Sequence, residues 1–329
     1  EMCIRDRSLS GTTKLRGMLE IVSSASEFET VPIRRHEDVL LRRIYDRMPL
    51  KLDKIQFENP FHKTFILLQA HFSRLTLPAD LAQDQRDILN RVLTLLNACV
   101  DVMSSGAMLN AIVAMEISHM CVQAVWDRDS PLRQVPHFTA ATIQRCQARG
   151  IHDVYALADV LPDMSQHERD ELLQLNKRQL ADVATLTNEF PYVDIEFDIL
   201  DKEKLDSAST IILQAKLERD VDEEEEEPSD PTAIAPFYPS PKMTAWWLVI
   251  GDPGTNSLLS IKRVTIAKTL DVRLEFMLPA GMHDKLKLYL MCDSYIGADR
   301  ELEVPALHVA QGEEDEELDD EDNIEMPDA

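Results

Sequence analysis

The chain has 329 residues, of which 44% are hydrophobic and 28% are charged, a composition typical of globular proteins and a length sufficient for two or three packed units. Its net charge of −25 is uneven: residues 220–230 contain eight acidic and no basic residues, and residues 313–329 contain eleven acidic and no basic residues. Outside these two runs, 34 basic residues face 40 acidic ones, so the net charge there is near −6. We therefore expect both runs to be solvated, and the C-terminal run not to contact nucleic acid.

The cysteines and the hydropathy pattern indicate an intracellular protein. The five cysteines are an odd number without a close pair, so we expect reduced thiols rather than disulfides. No apolar run approaches the roughly eighteen residues that a membrane span requires, and the N-terminus lacks the apolar segment of a signal peptide. Residues 1–11 fit no element that follows, and we expect them to be a cloning scar or disordered.

Residues 12–136 predict an all-α helical bundle. Asn59 and Pro60 have the residue types of an N-cap and a first helical position, and apolar residues then recur every three or four positions, as along one face of a helix. The same period is found along residues 88–102. Residues 110–126 are apolar on nearly all sides, which predicts the central helix of the bundle.

The polar exceptions on this central helix are Glu116, His119 and Gln123, which occupy positions i, i+3 and i+7 and form one narrow strip. One interpretation is that the strip is the solvent side of the helix, since patterned polar positions usually face water. The other interpretation is that the strip borders a channel. A central helix with a solvated strip predicts that Met115→Asp destabilises the fold strongly, whereas Gln123→Ala has little effect.

Residues 137–190 predict a compact helix-loop-helix module. Thr139 has the residue type of an N-cap, Gly150 has the type that ends a helix, and Ser165 with Glu168 matches a capping box. The last helix of the module is predicted at residues 177–189.

Residues 191–311 change to the two-residue apolar period of β-strands. Seven strands are predicted, which is typical of an immunoglobulin-like β-sandwich; they are residues 192–199, 211–218, 246–251, 258–265, 271–278, 285–292 and 300–309. Only two of them precede the acidic segment 220–240, and a two-stranded ribbon is not stable alone, so we expect this segment to be a loop within the sandwich. Residues 312–329 are expected to form an acidic disordered tail.

The sequence contains no motif for catalysis or for metal binding. None of the nine glycines precedes a lysine, so the phosphate-binding loop of motor ATPases is missing, and neither Cys-x-x-Cys nor His-Glu-x-x-His occurs. We therefore predict no catalytic, metal-binding or cofactor-binding residue in this chain. Trp246 and Trp247 could stack on bases, but neighbours in a strand point to opposite faces, so we expect one to enter the core and the other to cover an outer face.

Several segments resemble one known family. They are residues 67–74 (Leu-Leu-Gln-Ala-His-Phe-Ser-Arg), 98–102 (Ala-Cys-Val-Asp-Val), 132–138 (Leu-Arg-Gln-Val-Pro-His-Phe), 246–252 (Trp-Trp-Leu-Val-Ile-Gly-Asp) and 256–263 (Asn-Ser-Leu-Leu-Ser-Ile-Lys-Arg). In this order they are similar to the Sec-sixty-three-type C-terminal unit of the large spliceosomal DExH-box RNA helicases, the U-five snRNP helicase family. The unit at the end of the second helicase cassette is the most similar one, and the resemblance extends from residue 12 to residue 309.

This resemblance implies an α+β multidomain fold, with a helical bundle, a helix-loop-helix module and an immunoglobulin-like domain, as the periodicity also predicts. It implies a non-catalytic unit of an ATP-dependent RNA helicase, in which ATP binds only to motor domains outside this chain. The implied partners are those motor domains, spliceosomal proteins and, weakly, single-stranded RNA, with no membrane contact and a nuclear location. Related helicases use the central helix as a ratchet along the nucleic acid, which makes Glu116, His119 and Gln123 candidates for lining an RNA channel.

Two alternatives remain open from the sequence. A subunit of the endoplasmic-reticulum protein translocon shares this unit and also ends in an acidic tail, and the chain could also be a stand-alone interaction module. The coding sequence upstream of Thr12 distinguishes the three, since it would contain motor motifs, membrane spans or a start codon.

Overall fold

The structure, a computed structural model, describes residues 9–220 and 232–312. Within these residues the chain is an α+β protein, in which nine α-helices are followed by nine strands in antiparallel sheets. Three parts of the predicted segments lie outside the described residues: residues 1–8 of the scar or disordered segment 1–11, residues 221–231 of the acidic loop and residues 313–329 of the tail.

The first five helices share one hydrophobic core. They are α1 (Leu15–Ser23), α2 (Asp38–Asp46), α3 (Pro60–Phe72), α4 (Ala79–Ser105) and α5 (Ile112–Gln123). The predicted start of α3 is confirmed, because the side chain of Asn59 accepts a hydrogen bond from the backbone N–H of Phe61 at 2.8 Å and Pro60 is the first helical residue.

A buried ionic cluster connects the chain before α2 with α3 and α4. The fully buried ammonium of Lys63 donates to the carboxylates of Glu37 and Asp84 at 2.7 Å each and to the carbonyl of Pro32 at 2.6 Å. Arg34 donates to both carboxylate oxygens of Asp84, at 2.5 and 2.8 Å. Every charge of the cluster has an opposite partner, as buried charges require.

The next four helices are α6 (Ala140–Ala148), α7 (Val154–Val160), α8 (Gln166–Leu173) and α9 (Lys177–Glu189). The capping signals are confirmed: Thr139 accepts from the N–H of Thr142, and Ser165 and Glu168 form both hydrogen bonds of a capping box. Gly150 has a φ of 81°, the left-handed conformation that glycine adopts readily after a helix.

The strands are β1 (Val193–Ile199), β2 (Ile211–Arg219), β3 (Trp246–Asp252), β4 (Ser257–Val264), β5 (Thr269–Phe276), β6 (Gly281–His283), β7 (Lys287–Cys292), β8 (Arg300–Glu303) and β9 (Leu307–Val309). They form a first sheet with the order β1-β2-β5, a second sheet with the order β4-β3-β7-β8, and the pair β6-β9. The single strand predicted at residues 300–309 is wrong, since it is two strands separated by Pro305, which cannot donate to a ladder. The three-residue strand β6 is additional to the predicted set.

Strands from the two sides of the acidic segment pair with each other. Strand β2, which precedes the segment, pairs with β5, which follows it, along eight residue pairs from Ile211–Phe276 to Glu218–Thr269. The parts of the chain on the two sides of the segment therefore depend on each other for their hydrogen bonds.

The central strands of the second sheet, β3 and β7, are buried on both faces. Leu248 and Ile250 of β3 belong to a core that the first sheet and helices α6–α9 share, whereas Val249 belongs to the core of helices α1–α5. The two faces of β3 thus connect the helical and the β part of the chain. This explains why β3 is almost continuously apolar.

Cys99, Cys121, Cys146 and Cys292 are buried free thiols, as predicted, and Cys3 lies outside the described residues. Along residues 9–220 and 232–312, no helix combines the length and the apolar character that crossing a bilayer requires.

Candidate functional site: the junction of helix α5 with the second sheet

Helix α5 is the central helix that the sequence predicts. Nine of its twelve residues are buried. It contacts α1, α3 and α4 on the helical side and β7 on the other. The polar strip of α5 therefore lies at the junction between the two parts of the chain.

His119 lies against the end of β7. Its Nδ1 is 3.3 Å from the carbonyl oxygen of Cys292 and 3.7 Å from Oδ2 of Asp299, whose Oδ1 accepts from the N–H of Cys292 at 2.6 Å. Since a carbonyl oxygen only accepts, Nδ1 carries the proton. Burial lowers the pKa of His119 and raises the pKa of Asp299 to about 7, so the imidazole is neutral at pH 7.

Glu116 is the half-buried member of the strip, one turn before His119. Burial raises the pKa of its carboxyl group, and the neighbouring His119 opposes this effect. Glu116 is thus the one residue of the three that reaches solvent in this conformation.

Gln123 is buried at the end of α5 and holds two loops. Its Nε2 donates to the carbonyl of Ser294 at 2.7 Å and to the carbonyl of Ile234 at 3.2 Å. A side-chain amide has two N–H donors, so both are used. Gln123 therefore joins the helical bundle to the residues after β7 and to those before β3.

Gln134 completes this arrangement, although no sequence pattern singles it out. Its Oε1 accepts from the N–H of Ile296 at 3.1 Å, and its Nε2 donates to the carbonyl of Ile296 at 2.7 Å. His119, Gln123 and Gln134 thus hold the backbone of residues 292–296 through four hydrogen bonds rather than through apolar packing alone.

Asp293 is a buried carboxylate at the same junction. It accepts from the backbone N–H of Ala245 at 3.0 Å and from the hydroxyl of Ser294 at 2.5 Å, and it forms ion pairs with Lys242 and Arg263. The only sequence signal for this role is the position of an acidic residue directly after an apolar strand. Such a carboxylate fixes the chain that connects β7 to β8.

The structure brings the three predicted strip residues to one face, but it corrects the solvent interpretation. His119 is 5% exposed and Gln123 is 1% exposed, so the expectation that the strip faces water is wrong. The reason is that the residues after β7 cover the strip with backbone carbonyls. The assignment of Glu116, His119 and Gln123 to an RNA channel stays a prediction, and contact of RNA with the two buried residues would require α5 to separate from residues 292–296.

A cavity of about 530 Å³ opens near the C-terminal end of α5. Its walls include Arg74, Arg133, Asp129, Gln144, Gln147 and Phe138. Arg74 donates to the carbonyls of Gln123 and Ala124 at 3.0 Å each, and Arg133 pairs with Asp129. Burial and Arg133 lower the pKa of Arg74 to about 10, so the Arg74 guanidinium is charged at neutral pH. Asp129 is the single carboxylate in the lining of the cavity.

Among the residues that the structure describes, no group of three or more histidine, cysteine, aspartate or glutamate side chains could hold a metal ion. Hydrogen bonds and ion pairs hold the junction together. The hydrogen bonds join α5 and Gln134 to residues around β3 and β7 that are distant in sequence, and the ion pairs join Asp293 to Lys242 and Arg263.

Comparisons with known proteins match most of the chain. The protein family described as "Sec63 Brl domain" matches residues 3–305. The chain is 46% identical to "Pre-mRNA-splicing factor brr2" of Schizosaccharomyces pombe, over 90% of this chain and 13% of that protein. It is 42% identical to the human "U5 small nuclear ribonucleoprotein 200 kDa helicase", over 95% of this chain and 14% of that protein. It is also 42% identical to "DExH-box ATP-dependent RNA helicase DExH12" of Arabidopsis thaliana, over 89% of this chain and 13% of that protein.

Proposed function

Since this chain belongs to the Sec63 Brl domain family, we propose that it is the non-catalytic C-terminal unit of a spliceosomal ATP-dependent RNA helicase and acts as a protein-interaction scaffold in pre-mRNA splicing. The observation that carries the proposal is the similarity to splicing helicases along 90–95% of the chain. The chain corresponds to 13–14% of the length of those relatives. ATP binding and helicase activity are accordingly assigned to motor domains outside these residues.

The proposed partners are those motor domains and spliceosomal proteins, and the proposed location is the nucleus. The buried junction supports a scaffold, because its hydrogen bonds hold the helical and β parts in one arrangement. We further propose that the two sheets form an immunoglobulin-like sandwich, which their shared core supports. The domain limits 12–136, 137–190 and 191–311 stay predictions.

A chimeric helicase tests the scaffold. The segment of the Schizosaccharomyces pombe protein that matches this chain is replaced by residues 12–312, and pre-mRNA splicing is measured in cells that depend on the chimera. We expect splicing to continue, and we expect it to fail when the chimera carries Met115→Asp, since Met115 is fully buried. A stable chimera that copurifies with no spliceosomal protein would contradict the proposal.

Nucleotide turnover gives an independent test of the non-catalytic assignment. The purified chain should release no phosphate from ATP above a buffer control, because its sequence contains no phosphate-binding loop. Turnover that persists after repurification would show that a site was missed.

The cavity beside α5 supports a second role, weak contact with single-stranded RNA. The cavity contains two guanidinium groups and one carboxylate, a charge balance that favours the binding of a phosphate group. The carboxylate of Glu116 on the strip would repel a phosphate group. We expect dissociation constants in the micromolar range or weaker, with a steep dependence on salt. Arg133→Glu should weaken the binding of an oligouridine relative to the wild-type chain. Arg149→Glu is the matched control, because Arg149 is an exposed arginine at the C-terminal end of α6. Equal binding by both variants would exclude the cavity.

A further inference from the structure

A second cavity lies between the helix-loop-helix module and the first sheet. Its volume is about 360 Å³. It is lined by Tyr155 and Asp159 of α7, by Asn188 of α9, and by Phe190, Tyr192 and Asp220 at the start of β1 and the end of β2. No function described above uses these residues.

Three aromatic rings line this cavity, and the ring of Tyr155 is nearly perpendicular to each of the other two. The ring of Tyr155 is 5.0 Å from the ring of Phe190, with an interplanar angle of 82°, and 5.4 Å from the ring of Tyr192, with an angle of 89°. The hydroxyl of Tyr155 donates to the carbonyl of Pro191 at 3.1 Å, and Phe190 packs against Tyr295. The rings are therefore held in place before any ligand enters.

Two carboxylates and one guanidinium surround the rings. Asp159 and Asp220 line the cavity, and within the described residues neither carboxylate forms an ion pair. β1 is an edge strand of the first sheet, and its exposed side chains Asp194, Glu196 and Asp198 are also acidic, although Asp198 forms an ion pair with Lys202. The guanidinium of Arg300 lies 5.1 Å from the centre of the Tyr192 ring, which shows that this ring already holds one cation.

We propose that this cavity is a docking site for a positively charged side chain, a lysine or an arginine, of a partner protein. Perpendicular aromatic rings with free carboxylates attract a cation through their π faces and through direct charge, and they repel phosphate. An extended basic segment would continue past the cavity along the acidic edge of β1. This inference goes beyond the proposed function, because it concerns a different surface and does not depend on the identity of the helicase.

Pentapeptides with glycine and serine around one central residue provide a direct probe. The central residue is lysine, arginine or norleucine, and binding to the whole chain is followed by NMR from the ring signals of labelled tyrosines. The lysine and arginine peptides should shift the signals of Tyr155 and Tyr192 in a saturable way. The norleucine peptide, which has the same length without the charge, should not.

Two variants locate the site. Tyr192→Leu and Asp159→Asn should each weaken binding of the lysine peptide by roughly three- to thirtyfold, the range of a partly desolvated cation–π or ion-pair contact. Phe237→Leu and Asp163→Asn are the matched controls, because Phe237 and Asp163 are exposed residues outside the cavity. Both should leave the binding of the lysine peptide unchanged. Asp159 is exposed, so its replacement tests the site without affecting the core.

The proposal is overturned if the norleucine peptide binds as well as the lysine peptide, or if both site variants bind like the wild-type chain. A failure here together with a functional chimera would leave the scaffold proposal intact.

Discussion

Trp246 and Trp247 are neighbours on β3, yet their side chains are buried in two different cores. Trp246, 2% exposed, lies in the core that both sheets share, and Trp247, 4% exposed, lies in the core of helices α1–α5. The prediction that the two rings face opposite sides of the strand is confirmed. The side expected to be an outer face is covered by the helical bundle, and Arg263 lies 3.6 Å from the centre of the Trp247 ring.

This arrangement predicts that the two tryptophans stabilise different regions. Trp246→Ala and Trp247→Ala should each cost roughly 3–5 kcal/mol of unfolding free energy, as truncation of a buried large aromatic does. Amide hydrogen exchange should distinguish them: Trp247→Ala should speed exchange in α5, and Trp246→Ala in β2 and β5. The same exchange pattern in both variants would contradict the assignment to separate cores.

The elements were predictable from sequence because their signals are local. Asn59 caps α3 with its own side chain, and the capping box of Ser165 spans three residues, so the sequence defines both helix starts. The surroundings of the polar strip were not predictable. Gln123 bonds to a carbonyl 171 residues along the chain, and nothing in the local period indicates which distant segment will cover a helix. The same holds for Gln134, whose partner Ile296 is 162 residues away.

The covered strip changes the expectation for Gln123. We now expect Gln123→Ala to lose about 1–3 kcal/mol of unfolding free energy, because the carbonyls of Ser294 and Ile234 lose their donor. Gln123→Glu should lose more, since a carboxylate would face the same two carbonyls. Urea unfolding at pH 7 measures both.

Gln147→Ala is the control for Gln123, because Gln147 is an exposed glutamine on another helix. Its effect should stay within about 0.5 kcal/mol. If Gln123→Ala is as mild as this control, the junction does not depend on the amide.

The burial of His71 predicts that the free energy of unfolding decreases in acid. Its Nε2 is 2.7 Å from the carbonyl of Cys121 and must donate to it, and burial lowers the pKa of His71 to about 4 from an ordinary value of 6.5. Between these two pH values the unfolded chain binds a proton that the folded chain does not. The stability that neutral His71 confers is therefore fully present above about pH 6.5 and falls as the pH falls towards 4, by up to roughly 3 kcal/mol.

His71→Gln keeps a donor for Cys121 but cannot titrate. Between pH 7 and pH 4.5 the variant should lose about 2 kcal/mol less unfolding free energy than the wild-type chain, as measured by urea unfolding at both values. The exposed His152 provides the control, since His152→Gln should leave the pH dependence unchanged. Identical slopes for all three proteins would mean that His71 is not held neutral.

The pairing of β2 with β5 predicts that the chain survives a cut in its acidic segment. A recognition sequence for a site-specific protease replaces residues 224–229, and the cleaved protein is run on a sizing column without denaturant. The two fragments should elute together, because eight residue pairs between β2 and β5 join them and because the hydroxyl of Tyr238, after the cut, donates to the carbonyl of Leu89 in α4 at 3.0 Å. In denaturant they should separate, which shows that the cut is complete. Charge runs with prolines often separate independent domains. If the C-terminal fragment elutes alone as a folded protein, the acidic segment is such a linker and not a loop within one domain.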